Sequence, residues 1–362
     1  MVYLSGKTTE IDYLGEPKID LKNKKILAVL SQNCRFKLAP SQVGKIVGLS
    51  KEVVHYRIKK LEKEGIIKGY YSVINTRKIG FQIFFVYIEL QNISQTKENE
   101  IIDKLIKHPS THYITCCFGK YDILFDILAN SIDDFDKILR EMFKEFGQYV
   151  KHYEISTLLD VLKYVALMES FSKGINLNKE KFQYDFTFMK DLENKKIDYT
   201  SGKFNLDGKD FQILYFLSNN STLQLKQIAR KINVSSDTVK YRIKRLIKHN
   251  LIIGFYPIIN ISMLGYHNYG LFLELNNIEF EEKKKILNYL ALHPDAIFCL
   301  KSSGQYEITL NVAVKNNLHL YKLINDLRQR YPEQIKKIEI VLIIKDHKIA
   351  FLPMRKIKFT QQ

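Results

Sequence analysis

Two stretches of the chain carry basic and hydrogen-bonding side chains at the same spacing. Lys51, Val53, His55, Tyr56, Arg57, Lys59 and Lys60 follow Ser50, and Ser236, Thr238, Lys240, Tyr241, Arg242, Lys244 and Arg245 follow Ser235. Lys59, Lys60, Lys244 and Arg245 suit phosphate oxygens, while His55, Tyr56, Thr238, Lys240 and Tyr241 suit base edges. The chemistry on offer is recognition of a polyanion. No Ser/His/Asp, paired-carboxylate or phosphate-loop constellation stands out, so no catalytic residue and no cofactor is assigned. His108 and His112 have an i,i+4 spacing that would suit a metal on a helix, but Pro109 breaks that helix and no metal is expected. Cys34, Cys116, Cys117 and Cys299 lack CxxC spacing, which reads as reduced thiols of a cytoplasmic protein. Cys116 and Cys117 fall on an expected strand, one pointing in and one out, so buried small hydrophobes are favoured over a redox sensor.

Helices must hold the two basic stretches. Ser50 is an expected N-cap, Gly65 a left-handed stop, and Val54, Ile58 and Leu61 an inner stripe at i, i+4 and i+7. Upstream, Leu21, Ile26, Leu27 and Leu30 give a first apolar face. Pro40 and Ser41 open a second helix, with Val43, Ile46 and Val47 inside and Gly48 at its end. A helix, a tight turn and a helix with a basic outer face is the helix-turn-helix pattern. The following IIKGYYSVIN reads as two β-rich pieces around Gly69, a wing. The second copy repeats this with Val239, Ile243 and Leu246 inside.

The repetition is extensive. VVHYRIKKLEKEGIIKGYYSVIN at 53–75 aligns with TVKYRIKRLIKHNLIIGFYPIIN at 238–260 at an offset of 185, and the register continues through Gly80/Gly265 and His108/His293. It also holds at Gly119-x-Tyr121-Asp122 and Gly304-x-Tyr306-Glu307. Upstream, Asp20 matches Asp207 at an offset of 187. Charge alternates with the copies: residues 20–80 hold 14 Lys/Arg against 4 Asp/Glu, whereas 81–166 hold 9 against 13. Residues 206–265 hold 9 against 3, and 266–352 hold 12 against 10. The overall +17 is therefore concentrated on the helix-turn-helix units, the candidate polyanion faces. With 46% hydrophobic and 26% charged residues the chain has globular composition, and no apolar run is long enough to span a bilayer.

Residues 81–166 read β-α-β-β-α-β, the ferredoxin-like plan, and 266–352 repeat it. The expected fold class is α+β: two tandem copies of a winged helix-turn-helix followed by a ferredoxin-like βαββαβ domain. The expected boundaries are a lead-in at 1–19, readers at 20–80 and 206–265, and α/β domains at 81–166 and 266–352. A partly ordered linker at 167–205 and a basic tail at 353–362 complete the chain.

The LSxxxVxYRIKxLExxGIIxGYYxxIN stretch at 49–75 and the GxYD turn at 119–122 resemble the Lrp/AsnC (feast/famine) family over nearly the whole chain outside 167–205 and the ends. The resemblance implies a reader joined to a ligand-sensing dimerisation domain. In that family the sensing domains pair through their sheets and small effectors, often amino acids, bind near the GxYD turn between dimers. Carried over, the effector residues are Gly119, Tyr121 and Asp122, with Gly304, Tyr306 and Glu307 in the second copy; the partners are double-stranded DNA, an effector and further copies through the ferredoxin-like domains. The chain departs from the pattern as a fused tandem, in which the two sensing domains can pair within one chain as a pseudo-dimer with unlike readers. It also has Asn250 where Gly65 stands and Glu307 for Asp122.

Other readings stand beside these. Arg57 and Arg242 contact phosphate or form ion pairs at the core rim, and the tyrosines of the two helices are base-facing or partly packed. The GxYD glycine and acid are an effector site, or a tight turn and a strand cap. The readers are DNA-binding units or protein-interaction modules of a transcription assembly. Sirohaem decarboxylases share this general plan in paired copies, but they carry a tryptophan-containing segment, and this chain has no Trp.

Overall fold

A computed structural model describes residues 19–31, 38–175, 177, 206–349 and 352. The lead-in before residue 19, the loop at Cys34–Lys37, most of the expected linker and the basic tail lie outside the described residues.

Each copy opens with three helices packed on one small core. In the first, α1 (Leu21–Leu30) starts at Asp20, whose carboxylate accepts from the Asn23 N–H at 2.7 Å. Next, α2 (Pro40–Val47) has Pro in its first turn and left-handed Gly48 at its end, and Ser50 caps α3 (Lys51–Lys63). Ile26, Leu27, Val43, Val54 and Leu61 are fully buried between them. Ile58 is only half-buried at the rim. Leu21, expected on the apolar face, is 59% exposed; at 3.6 residues per turn it points well away from Ile26, five positions on. The second copy repeats the unit as α6 (Gly208–Asn219), α7 (Leu225–Ile232) and α8 (Ser236–Lys248). Gly65 ends α3 at φ 77°, and Asn250 takes the same left-handed turn at φ 55°, which Asn tolerates better than other side chains.

The expected two-piece wing is not what forms. Ile67–Ile74 is one continuous strand, β1, and Gly69 lies inside it without a positive φ. Its partner is the equivalent strand of the other copy, β6 (Ile252–Ile259), paired antiparallel with Tyr71 opposite Tyr256. The exchange is reciprocal: the Asn75 N–H donates to the Leu251 carbonyl and the Asn260 N–H to the Ile66 carbonyl, both at 2.9 Å. Ile74 joins the core of the second reader and Ile259 that of the first. A strand with no local hairpin turn satisfies its backbone groups with whatever edge the fold brings to it, and duplication supplies that edge.

Each α/β unit follows the βαββαβ order. The first comprises β2 (Gln82–Leu90), α4 (Gln95–Lys107), β3 (Thr111–Gly119), β4 (Ile123–Ala129), α5 (Ile132–Phe146) and β5 (Val150–Tyr164). The second comprises β7 (His267–Leu275), α9 (Phe280–Leu292), β8 (Ala296–Gly304), β9 (Ile308–Val314), α10 (Asn317–Arg330) and β10 (Ile335–Ile349). The two sheets close into one barrel, ordered β10-β3-β4-β2-β5-β8-β9-β7. β5 and β10, 15 residues each, make the closure: β5 pairs with β2 and with β8, and β10 with β7 and with β3. Helices cover the outside of each sheet, burying residues such as Ile101, Phe135, Leu290 and Leu327. The sheets that the sequence left open for self-association thus pair between the copies, and closure leaves no free edge.

Two lysines, Lys163 buried and Lys348 half-buried, fasten the copies further. Lys348 on β10 donates to the Ile106 and His108 carbonyls at 2.9 and 3.1 Å and to Thr111 Oγ1 at 2.8 Å, closing the C-terminal end of α4 in the other copy. Lys163 on β5, its repeat equivalent, donates to the His293 carbonyl at 2.9 Å after α9. A cation at a helix C-terminus meets both orphan carbonyls and the negative end of the dipole. Beyond β5, Leu167, Met168, Phe171 and Leu177 pack into the first reader's core, so the start of the expected linker belongs to that core.

Candidate nucleic-acid interface

The outer faces of α3 and α8 carry the residues singled out by spacing. Each helix is fixed by its cap, Ser50 Oγ accepting from the Val53 N–H at 3.3 Å and Ser235 Oγ from the Thr238 N–H at 3.0 Å. Val54 and Leu61, or Val239 and Leu246, anchor the inner stripe at full burial. Lys51, Val53, His55, Tyr56, Lys59 and Lys60 are all exposed, as are Lys240, Tyr241 and Lys244. The matched tyrosines stand free of the core, Tyr56 at 68% and Tyr241 at 66% exposure. Ser236 and Thr238 are half-buried, and the Thr238 hydroxyl lies 2.9 Å from Ser235 Oγ as part of the cap.

The arginines behave differently. Arg57 donates to Asp20 Oδ2 at 2.6 Å and to Asn23 Oδ1 at 2.9 Å. Arg242 donates to Asp207 Oδ2 at 2.7 Å and Asp210 Oδ1 at 2.8 Å, and Arg245 also pairs with Asp210. These guanidiniums tie the reader helix to the start of the first helix, where Asp20 and Asp207 are also N-caps. Burial would raise both caps; hydrogen bonds from the Asn23 N–H and Arg57, or from the Asp210 N–H and Arg242, hold them below the usual aspartate value. Sequence reasoning missed the four acceptors Asp20, Asn23, Asp207 and Asp210. The signal was there, because Asp20 and Asp207 match in the repeat just as Arg57 and Arg242 do.

The two readers are therefore unlike in detail. Asn23 stands where the second copy has Asp210, and Lys60 stands where it has Arg245. Fully buried Asp210 draws Arg245 inward, whereas Lys60 stays on the surface, 3.7 Å from Glu64. Lys59 rests 2.7 Å from Glu62, an exposed pair that holds it only weakly.

The description "winged helix-turn-helix DNA-binding" fits the chain twice, at residues 19–68 and 206–253. The HTH-type transcriptional regulator LrpA of Pyrococcus abyssi is 30% identical over 131 residues, 34% of this chain and 92% of that protein. The HTH-type transcriptional regulator FL11 of Pyrococcus furiosus is 29% identical over 122 residues, 33% of this chain and 78% of that protein. The chain belongs to the Lrp/AsnC family. These two relatives are each the length of one reader plus one α/β unit, and here two such units are fused. The siroheme decarboxylase NirDL has a similar fold across 92% of this chain and 95% of its own, with a TM-score of 0.57 and 12% identity. At that identity the likeness is one of architecture.

In this tandem Lrp/AsnC chain the GxYD turn at 119–122 and its counterpart at 304–307 meet inside the barrel. Tyr121 and Tyr306 are fully buried with their hydroxyls hydrogen-bonded to each other, and Tyr121 donates to Glu154 Oε2 at 2.6 Å. Lys120 donates to Glu154 Oε1 at 2.9 Å and to the Tyr306 hydroxyl at 3.0 Å. Burial works against both charges, yet these hydrogen bonds hold Lys120 above the usual lysine range, and those from Tyr121, Lys120 and His152 hold Glu154 at about 2. Asp122 and Glu307 each accept from a strand N–H, that of Leu90 at 2.7 Å and that of Leu275 at 2.9 Å, so the longer acid makes the same cap. Gly119 (φ 144°) and Gly304 (φ 133°) lie against the other copy's closing strand; a Cβ would fall 2.7 Å from the Ile340 carbonyl oxygen and 2.4 Å from that of Ile155. Sequence reasoning missed Lys120 and Glu154. Cys116 packs toward the helix side of its sheet and Cys117 toward the barrel interior, and burial pushes the Cys116 thiol up to about 12.

Proposed function

We propose that the chain is a sequence-specific DNA-binding transcriptional regulator that reads a two-part, non-palindromic operator with two unlike helices in one molecule. The observation that carries this reading is that α3 and α8 present exposed basic faces while the β1–β6 ribbon joins their readers. In symmetric dimers the operator mirrors the protein two-fold; here His55 and Lys240 occupy equivalent positions, so the two half-sites are read by different chemistry. Arg57, Arg242 and Arg245 act in this reading as braces of the reader helices. Lys51, Lys59, Lys60 and Lys244 serve as the phosphate contacts, while His55 and Lys240 reach base edges.

Gating by a small effector is part of the proposal. What supports it is a partly open cavity of about 290 Å³ between the barrel and the ribbon that joins the readers. Selection from a random duplex library, followed by affinity of the winners across a salt series, tests the DNA reading. The expected result is an asymmetric enriched motif and a steep fall in affinity with salt, because phosphate contacts release condensed counterions. A shallow salt dependence with no enriched motif would overturn it and leave the readers as protein-interaction modules.

A further inference from the structure

The cavity is lined by both copies, but the repeat does not make its two walls alike. At the same register, Phe85 lies opposite Asp126 in the first copy and Gly270 opposite Asn311 in the second. Ile83 and Asn268 are likewise equivalent, as are His112 and Ile297. One wall is thus filled by Phe85 and carries an acid, with Asp126 Oδ2 lying 3.0 Å from His112 Nδ1. The other has Gly270 in that place, with the Phe272 ring and Val341 packed against it, and carries carboxamides instead of an acid. A symmetric dimer of one copy would have two equal half-cavities, and fusion has made a single site with an orientation.

The unsatisfied chemistry points one way. Asn311 is 3% exposed, and neither its Oδ1 nor that of Asn268 has a hydrogen-bond partner among the described residues. An amide oxygen buried without a donor costs free energy that a bound N–H would recover. Asp346, hydrogen-bonded by Tyr113, adds a second carboxylate to Asp126 in the lining. Among the described lining residues Arg77 is the one fixed cation, and its guanidinium donates to the Leu158 and Leu159 carbonyls at 2.9 and 2.5 Å. The rest of the wall is largely aliphatic and aromatic, Phe85, Ile258, Phe272 and Ile343 among it. The volume is at the lower end of small-molecule pockets.

We propose that this cavity binds a small amphipathic amine, its apolar body against the aromatic wall and its N–H-bearing head between Asp126 and the Asn268 and Asn311 carboxamides. Tyr71 and Tyr256 line the cavity from the ribbon, so an occupant touches the element that spaces the readers. The proposal deepens the effector reading by naming a ligand class and its contacts, and does not depend on DNA recognition.

The probe is tryptamine, with indole-3-propionate as a control of the same body and opposite charge. The chain contains no tryptophan, so indole emission reports the probe alone. Tryptamine emission is expected to shift to the blue and saturate, while indole-3-propionate shows no saturable shift. Asn311→Leu, of similar volume, is expected to keep or raise the melting temperature yet weaken tryptamine by roughly tenfold, the worth of one buried hydrogen bond. Asn268→Ile installs the first copy's residue and is expected to do the same, which keeps the test open if Asn311→Leu does not fold. No saturable shift with tryptamine, equal binding of the propionate, or unchanged affinity in the folded variants would each overturn the proposal. Duplex affinity measured on the same samples keeps the two readings apart: DNA binding without tryptamine binding removes this site and leaves the regulator standing.

Discussion

Arg57 and Arg242 occupy the same Tyr-Arg-Ile-Lys setting, and in both copies the guanidinium turns away from the reader surface to hold the first helix. An arginine fork suits this, since it grips a cap carboxylate and a second acceptor with fixed geometry. The two residue types thus differ within each reader helix: the arginine is tied to the start of the first helix, and the lysines stay exposed. Asp210→Ala removes a fully buried carboxylate shared by Arg242 and Arg245. It is expected to cost about 2–4 kcal/mol, below the full value for a buried pair because both arginines reach solvent. Denaturant melts check this, and a cost within error of zero would refute the brace. Lys59→Ala is expected to leave the melt unchanged and to reduce the slope of log affinity against log salt by about 1. Swapping the two phenotypes between the sites would invert the assignment. At this scale the sequence was informative about which residues cluster, because a repeat fixes spacing twice. Their orientation was not legible, since Arg57 is equally close in sequence to solvent and to a partner 37 positions upstream.

Helices, caps and stops were readable from local chemistry: Ser50, Ser235, Gly48 and Gly65 all act where short-range rules place them. The strands were readable as strands but not as pairs. An alternating pattern states that a face is buried and does not name the edge it will meet. That is why IKGYYSVI reads as a local wing when its partner lies 185 positions away in the repeat, and why the 15-residue β5 and β10 conceal a barrel closure. The lysine clamps belong to this scale. Lys348 gives all its donors to one helix end and its turn, while burial lowers its pKa to about 8. Lys348→Met is expected to destabilise the fold by about 2 kcal/mol, because three acceptors lose a buried donor. Because the folded pKa lies below that of the unfolded chain, the Lys348 contribution to stability should rise as pH climbs from about 8 toward 10.5, and the Met variant should lack that rise. A Met variant with an unchanged melt and unchanged alkaline limb would remove the clamp.

The whole molecule is a dimer architecture written into one chain, and duplication has left each copy free to change without its twin. Lys120 shows this, serving Glu154 and reaching Glu339, the repeat equivalent of Glu154, at 3.6 Å, where the second copy has only Gln305. Glu154 is held at about 2, so its stabilisation is complete above the ordinary glutamate value of 4.5 and is lost as pH falls through about 2. Glu154→Gln should therefore lower stability at neutral pH and flatten the acid limb of the stability profile; an acid limb as steep as that of the wild type would show that the barrel interior is held by other groups. The pseudo-dimer could be foreseen from the matched repeats, but its asymmetric interior could not, because Phe85/Gly270 and Asp126/Asn311 gain meaning only when the strands are in register. The proposed function extends the same asymmetry to the reading of DNA. The most direct test is to select duplexes with the wild type, with His55→Ala and with Lys240→Ala, and compare the enriched motifs. Two unlike half-sites are expected from the wild type, with His55→Ala relaxing one of them and Lys240→Ala relaxing only the other. A palindromic motif, or two variants that relax the same positions, would contradict the account of one chain with two readers.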